Sequence, residues 1–77
     1  MREQVINILQ EIRPEFNFND SANYIEDGLL DSFDVVRLVA ELDEEFNTSI
    51  DGEDIMPKNF SSVEKIMALL QKKGVKS

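Results

Sequence analysis

The sequence contains no cysteine and no histidine. Without cysteine there are no disulfides and no thiolate metal ligands, and a cytoplasmic setting is expected. Without histidine the usual Ser-His and Cys-His nucleophile pairs are excluded, along with the commonest proton shuttle near neutral pH. A self-sufficient enzyme is therefore not expected. Positive charge is scarce as well: eight Lys and Arg stand against sixteen Asp and Glu, a net charge of −8. That balance does not suit nucleic acid, whose phosphates select basic faces, and it favours attraction to basic partner surfaces. Long apolar runs are missing too. Met1-Arg2-Glu3-Gln4 leads into an amphipathic pattern, so neither a signal peptide nor a membrane span is expected. At 77 residues the chain is read as one domain, residues 1–77, near the size at which a single core just suffices.

What the chain does have is helical periodicity. From Arg2 to about Arg13, apolar residues fall at Val5, Ile8, Leu9 and Ile12, one buried stripe that Pro14 closes. Residues 14–31 show no sustained period. They are read as a long ordered loop in which Phe16, Phe18, Tyr24 and Ile25 anchor onto the core, Tyr24 included, with no catalytic part for it. A second helix is expected from about Ser32 to Phe46, with Val35, Leu38, Val39, Leu42 and Phe46 inward and Asp34, Arg37, Glu41 and Glu44 or Glu45 outward. Arg37 has the spacing to pair with Asp34 or Glu41. Phe33, Val36 and Ala40 form a third line beside the core stripe, apolar yet close to the acidic face.

Asn47-Thr48-Ser49 breaks the pattern and Ile50 returns to the core. Asp51 to Met56 is long enough for one or two helical turns, ended by Pro57. A final helix is expected to start at Ser61, with Glu64 completing a capping box, Val63, Ile66, Met67 and Leu70 inward, Lys72 and Lys73 at the negative dipole end, and Gly74 as the stop. No strand alternation is present. The fold class is all-α, a small four-helix bundle of three main helices and one short one.

Two features could carry chemistry. The acidic run of Asp43, Glu44, Glu45, Asp51, Glu53 and Asp54 suggests a cation site, a solvated face or a docking surface. A calcium loop is the poorest of these, because Phe46 and Ile50 stand where ligands would be needed. No metal site is expected. The second feature is Asp27-Gly28-Leu29-Leu30-Asp31-Ser32-Phe33-Asp34, where the loop hands over to the second helix. Asp31 can cap the helix, Asp34 completes a pattern like a capping box, and Gly28 permits a turn. Ser32 then lies just inside the helix, with its hydroxyl outward. A serine at a helix start often does nothing but favour that start. If this one takes part in chemistry, another protein must modify it, since the chain offers no general base to activate the hydroxyl. The chain also has no thiol, so any thioester must hang from an added group.

The stretch resembles the attachment site of acyl carrier proteins, whose Asp-Ser-Leu core carries 4′-phosphopantetheine on the serine. The resemblance covers nearly the whole chain: the first helix, the long loop, Asp31-Ser32-Phe33-Asp34, the segment from Leu38 to Glu44-Glu45-Phe46, Ile50 and the terminal helix occur in that family's order. The fatty-acid-synthesis type favours Gly-Ala-Asp-Ser-Leu, whereas here Leu29-Leu30 precede Asp31 and Phe33 follows Ser32. Asp27-Gly28-Leu29-Leu30-Asp31-Ser32, with Pro57-Lys58-Asn59-Phe60-Ser61-Ser62-Val63, looks more like stand-alone carriers, including D-alanyl carrier proteins. The Gly-Gly-x-Ser pattern of peptidyl carriers is absent.

The resemblance implies a phosphoprotein that carries an acyl or aminoacyl group as a thioester on phosphopantetheine at Ser32, beside Asp31. The setting would be fatty acid, polyketide or D-alanylation chemistry. It implies as partners a phosphopantetheinyl transferase, an activating ligase and a downstream synthase or transferase, met by a monomer. Docking would fall to Phe33, Asp34, Val36, Ala40, Glu41, Glu44, Glu45, Glu53 and Asp54. The competing reading is a small acidic helical interaction domain without a prosthetic group.

Overall fold

The computed structural model describes residues 1–19 and 22–75. Among them the regular elements are α1 (Arg2–Ile12), α2 (Ser32–Phe46), a 3₁₀ turn at Gly52–Asp54, a second at Pro57–Phe60, and α3 (Val63–Lys72). The all-helical class expected from the sequence is the one observed. α1 packs on both α2 and α3, and α3 holds the second 3₁₀ turn.

Each helix buries the stripe its spacing predicts. Val5, Ile8, Leu9 and Ile12 come from α1, Val35, Leu38, Val39 and Leu42 from α2, and Val63, Ile66 and Leu70 from α3. Leu69 joins them as an inward residue the periodicity did not single out, while Phe46 and Met67 are only partly buried against the core. The helices stop for local reasons. Asn47 adopts the left-handed conformation at φ 52°, ending α2. Gly74, at φ +93°, ends α3 in a Schellman arrangement, with Val75 N donating to Leu70 O at 3.0 Å and Gly74 N to Gln71 O at 3.0 Å.

The described part of the loop before α2 is held by its own side chains, while Asp20 and Ser21 lie outside the described residues. Phe18 and Tyr24 are fully buried and meet edge to face, with ring centroids 5.0 Å apart. The Tyr24 hydroxyl donates to Phe18 O at 2.9 Å, and burial pushes its phenol above the usual range, so it stays protonated. Phe16 and Ile25 are half-buried. The anchoring role expected of these residues is the observed one.

Four local expectations are corrected. Asp34 pairs with Arg13 and not with Arg37, because the end of α1 brings that guanidinium to 2.8 Å. The segment from Asp51 to Met56 forms only the 3₁₀ turn Gly52–Asp54, and Pro57 opens a second turn, where its fixed φ and missing N–H fit the first position. α3 is capped by Ser62, which accepts from Lys65 N at 3.2 Å, while the Ser61 hydroxyl donates to Lys58 O. Glu64 therefore closes no box with Ser61, and it pairs with Arg2.

The fourth correction concerns Asp54, expected on an exposed acidic face and found buried. Lys73 contacts both Asp54, at 2.5 Å, and Asp51, at 2.7 Å, and Lys72 reaches Asp54 at 3.3 Å. Asn59 Nδ2 adds a bond to Asp54 O at 2.8 Å. The Lys73 ammonium, then Lys72, holds the Asp54 carboxyl below its usual range. A carboxyl lowered in the folded state stabilises above its unfolded pKa, and that contribution disappears as pH falls below about 4. Asp54→Asn should therefore lose stability at neutral pH and show a shallower acid-induced fall. Melting temperatures of both proteins between pH 7 and pH 3 check this; parallel curves would contradict it.

Candidate functional site

The site is built at the start of α2. Gly28 takes φ +78°, a conformation that a side chain would strain, and so turns the chain back toward Tyr24. Leu29 N and Leu30 N both donate to Tyr24 O, at 2.8 and 3.2 Å. Leu30 and Val35 are buried on either side of the cap, the spacing of a hydrophobic staple that fixes how the chain enters the helix. Asp31 is the N-cap. Its Oδ1 accepts from Asp34 N at 2.9 Å, and Asp34 Oδ2 accepts from Asp31 N at 3.2 Å, so the capping box read from the sequence is complete.

Ser32 is the first helical residue and it is exposed. Among the described residues its hydroxyl has no hydrogen-bond partner, so the side chain contributes nothing visible to the cap. The hydroxyl also has no base beside it. Asp31 accepts the Asp34 amide bond and lies near Arg13, both of which hold its carboxyl below the ordinary range and make it a poor proton acceptor. What the geometry offers is an acceptor for a group delivered by another protein.

An apolar groove of about 240 Å³ opens beside Ser32, walled by Ile25, Leu30, Val35, Val36, Ile55 and Pro57. Only Val35 and Val36 among these come from the helix itself. The other walls are loop and 3₁₀ residues whose convergence no local spacing announces. Phe33 and Val36 are 83% and 62% exposed, beside exposed Ala40.

The acidic residues expected to line this face separate into groups. Glu44 and Glu53 are exposed. Glu41 and Glu45 turn toward α1, where they border a hollow with Gln4, Asn7 and Glu11, and Gln4 Nε2 donates to Glu45 at 3.3 Å. Asp34 and Asp54 are engaged within the molecule, by Arg13 and by Lys73. Asp43, a candidate for ion binding, accepts from Ile50 N at 3.0 Å and ties down the turn after α2. Arg13 is the residue at this site that the sequence reading missed, and no short-range spacing points to it.

A small helical domain that presents one unpartnered serine at a braced helix start, next to an apolar groove, has the design of a carrier of an attached group. The family profile described as the phosphopantetheine attachment site matches residues 3–70. The chain belongs to this family, the acyl carrier proteins, whose prosthetic group is 4′-phosphopantetheine. It is 38% identical over 66 residues to an acyl carrier protein of Buchnera aphidicola subsp. Acyrthosiphon pisum (strain Tuc7), covering 86% of this chain and 79% of that one. It is 29% identical over 75 residues to a D-alanyl carrier protein of Lactococcus lactis subsp. cremoris (strain MG1363), covering 95% of each. No solved structure gives a significant match. Among the described residues, no helix is long and apolar enough to cross a membrane.

The residues present fit the group. An exposed hydroxyl at the first position of a 15-residue helix places an attached phosphate at the positive end of that helix, where anions are favoured. The neighbouring groove gives an apolar extension somewhere to rest.

Proposed function

We propose that Ser32 is the attachment residue and that this protein delivers an acyl or aminoacyl group to partner enzymes. The observation that carries the reading is the setting of Ser32, exposed and unbonded at the first position of α2 inside a complete capping box. When attached, phosphopantetheine supplies a terminal thiol on a flexible arm, to which a carried group is joined as a thioester. The protein's own residues hold the attachment point still. Asp31 and Asp34 fix the helix start, Leu30 and Val35 fix its entry angle, and Tyr24 anchors the loop behind it.

The groove lining bears on the cargo. Six of the eight residues that line the groove are apolar, which supports an acyl chain resting there; the other two are Ser32 and Asp31, and an aminoacyl ammonium would meet in Asp31 a carboxylate already engaged by Asp34 N and Arg13. Intact mass after incubation with coenzyme A and a phosphopantetheinyl transferase, followed by peptide mapping, tests the attachment. The reading requires one added group on Ser32; a group found on Ser49, Ser61, Ser62 or Ser21, the last outside the described residues, overturns the attachment assignment, and no added group at all favours an interaction domain without a prosthetic group.

Docking is proposed to use the exposed apolar line of Phe33, Val36 and Ala40 together with exposed Glu44 and Glu53, and with Glu41 and Glu45 on the flank of α2 that turns toward α1. Asp34 and Asp54 act indirectly, by holding the elements that carry this surface. The partners are a transferase, an activating ligase and a downstream acceptor enzyme. Glu44→Lys or Glu41→Lys should slow loading by a basic transferase about two- to fivefold at low salt, with the difference shrinking at high salt. Phe33→Ala and Val36→Ala should raise the off-rate, with weak salt dependence. Loading kinetics at two salt concentrations separate the groups, and an unchanged rate for both charge reversals at low salt would remove the acidic residues from the docking surface.

A further inference from the structure

Arg13 is bound into the capping box that surrounds Ser32. α1 ends at Ile12, with Arg13 N still donating to Leu9 O at 2.9 Å, and Pro14 prevents the helix from continuing. The Arg13 side chain therefore leaves the helix end toward α2. Its Nε donates to Asp34 Oδ2 at 2.8 Å, its Nη2 to Asp31 Oδ2 at 3.4 Å, and its Nη1 to Glu15 Oε2 at 3.3 Å. Asp34 Oδ2 thus receives two bonds, one from Arg13 and one from the Asp31 amide. The planar fork of arginine suits this bridging, which a lysine ammonium reproduces only in part.

The arrangement matters because Ser32 lies between two carboxylates. Its modification brings an anionic phosphoryl donor to that spot and leaves a phosphodiester there. Unopposed, Asp31 and Asp34 would repel both. Among the described residues, Arg13 is the cation in contact with either of them. We propose that Arg13 is a positioning residue for the modification of Ser32, clamping the start of α2 to α1 and offsetting the two carboxylates so that the anionic donor is accommodated. This rests on the reading of Ser32 as the attachment residue and adds to it a residue distant in sequence. In the transfer, the Ser32 oxygen forms a bond to phosphorus as the pyrophosphate bond of coenzyme A breaks; the serine proton passes to the transferase, and the adenosine bisphosphate leaves. Arg13 takes no part in the bond changes.

Steering and positioning predict opposite changes, which makes the proposal testable. Removing a cation makes the carrier more acidic, so a basic transferase should bind Arg13→Gln at least as well as the original protein. The proposal instead requires kcat to fall, by about three- to tenfold at low salt, with no rise in KM for the carrier. Arg13→Lys should recover part of the rate. Adding Asp31→Asn to Arg13→Gln should recover it as well, because asparagine still caps the helix while one uncompensated charge is gone. Melting temperatures measured alongside separate loss of fold from loss of rate. If Arg13→Gln fails to fold, Arg13→Lys decides: a lowered kcat at unchanged KM supports the proposal, because the ammonium bridges the two carboxylates only in part, and a kcat equal to that of the original protein overturns it. An unchanged kcat in folded Arg13→Gln, or no recovery in either companion variant, also overturns it. Peptide mapping of the original protein is read separately: a group on a residue other than Ser32 defeats the attachment assignment, whatever the Arg13 kinetics show.

Discussion

Ser32→Ala should abolish phosphopantetheine loading while leaving the fold intact. The loss is complete because the reaction needs the oxygen as nucleophile, and the other described serines lack the setting. Ser61 spends its hydroxyl on Lys58 O and Ser62 caps α3, while Ser49 lies beyond the end of α2. Stability should change little. Ser32 is exposed, makes no side-chain bond, and leaves the cap to Asp31; alanine is moreover the better helix former. The checks are intact mass after exhaustive incubation with transferase, and thermal unfolding followed by circular dichroism. Residual loading of Ser32→Ala would remove the attachment assignment. A melting temperature lowered by more than about 5 °C would show that the hydroxyl has a structural task, since about 1 kcal/mol moves a domain of this size by that much.

Phe60→Ala should do the reverse, harming the fold everywhere. Phe60 is fully buried at the end of the second 3₁₀ turn, which packs on α3. Truncating a buried phenylalanine costs about 3–5 kcal/mol. A domain of 77 residues has roughly 4–12 kcal/mol in total on the usual per-residue scale. The variant should therefore be largely unfolded at 37 °C or lose at least 15 °C in melting temperature. Urea titration monitored by circular dichroism measures it; a midpoint within experimental error of the original protein would show that the site collapses around the smaller side chain.

Phe60 also shows where sequence reading stops. The helices were legible because each advertises itself locally. Asp31 and Asp34 mark the start of α2, Val35, Leu38, Val39 and Leu42 mark its inner face, and Asn47 supplies a residue able to turn left-handed. Phe60 stands alone between a proline and two serines, in no period that reveals its burial. The adjacent serines posed another ambiguity. Either could begin α3, and the choice of Ser62 depended on Lys58 O taking the Ser61 hydroxyl and on Arg2, at the far end of the chain, taking Glu64. Asp54 sits in an acidic run that reads as solvated, and only the return of α3 brings Lys73 to it. Arg37 had the helical spacing to reach Asp34, yet Arg13 occupies that carboxylate from another helix. For the candidate site the pattern is the same. Ser32 and its cap are written in consecutive residues, whereas the clamp from Arg13 and the groove walls from Ile55 and Pro57 exist only once the elements meet.

The bond from Tyr24 N to Ser61 O, at 2.6 Å, carries a consequence for biosynthesis. Tyr24 anchors the segment that leads into Ser32, and its own amide is satisfied by a residue near the opposite end of the chain. During synthesis Ser32 emerges from the ribosome well before Ser61 does. In that interval the loop lacks its tether, and α2, at 15 residues, is of a length that is only marginally stable alone in water. The rigid presentation of the serine is thus a property of the finished polypeptide, and an enzyme that reads this presentation meets it only after translation has passed the second 3₁₀ turn.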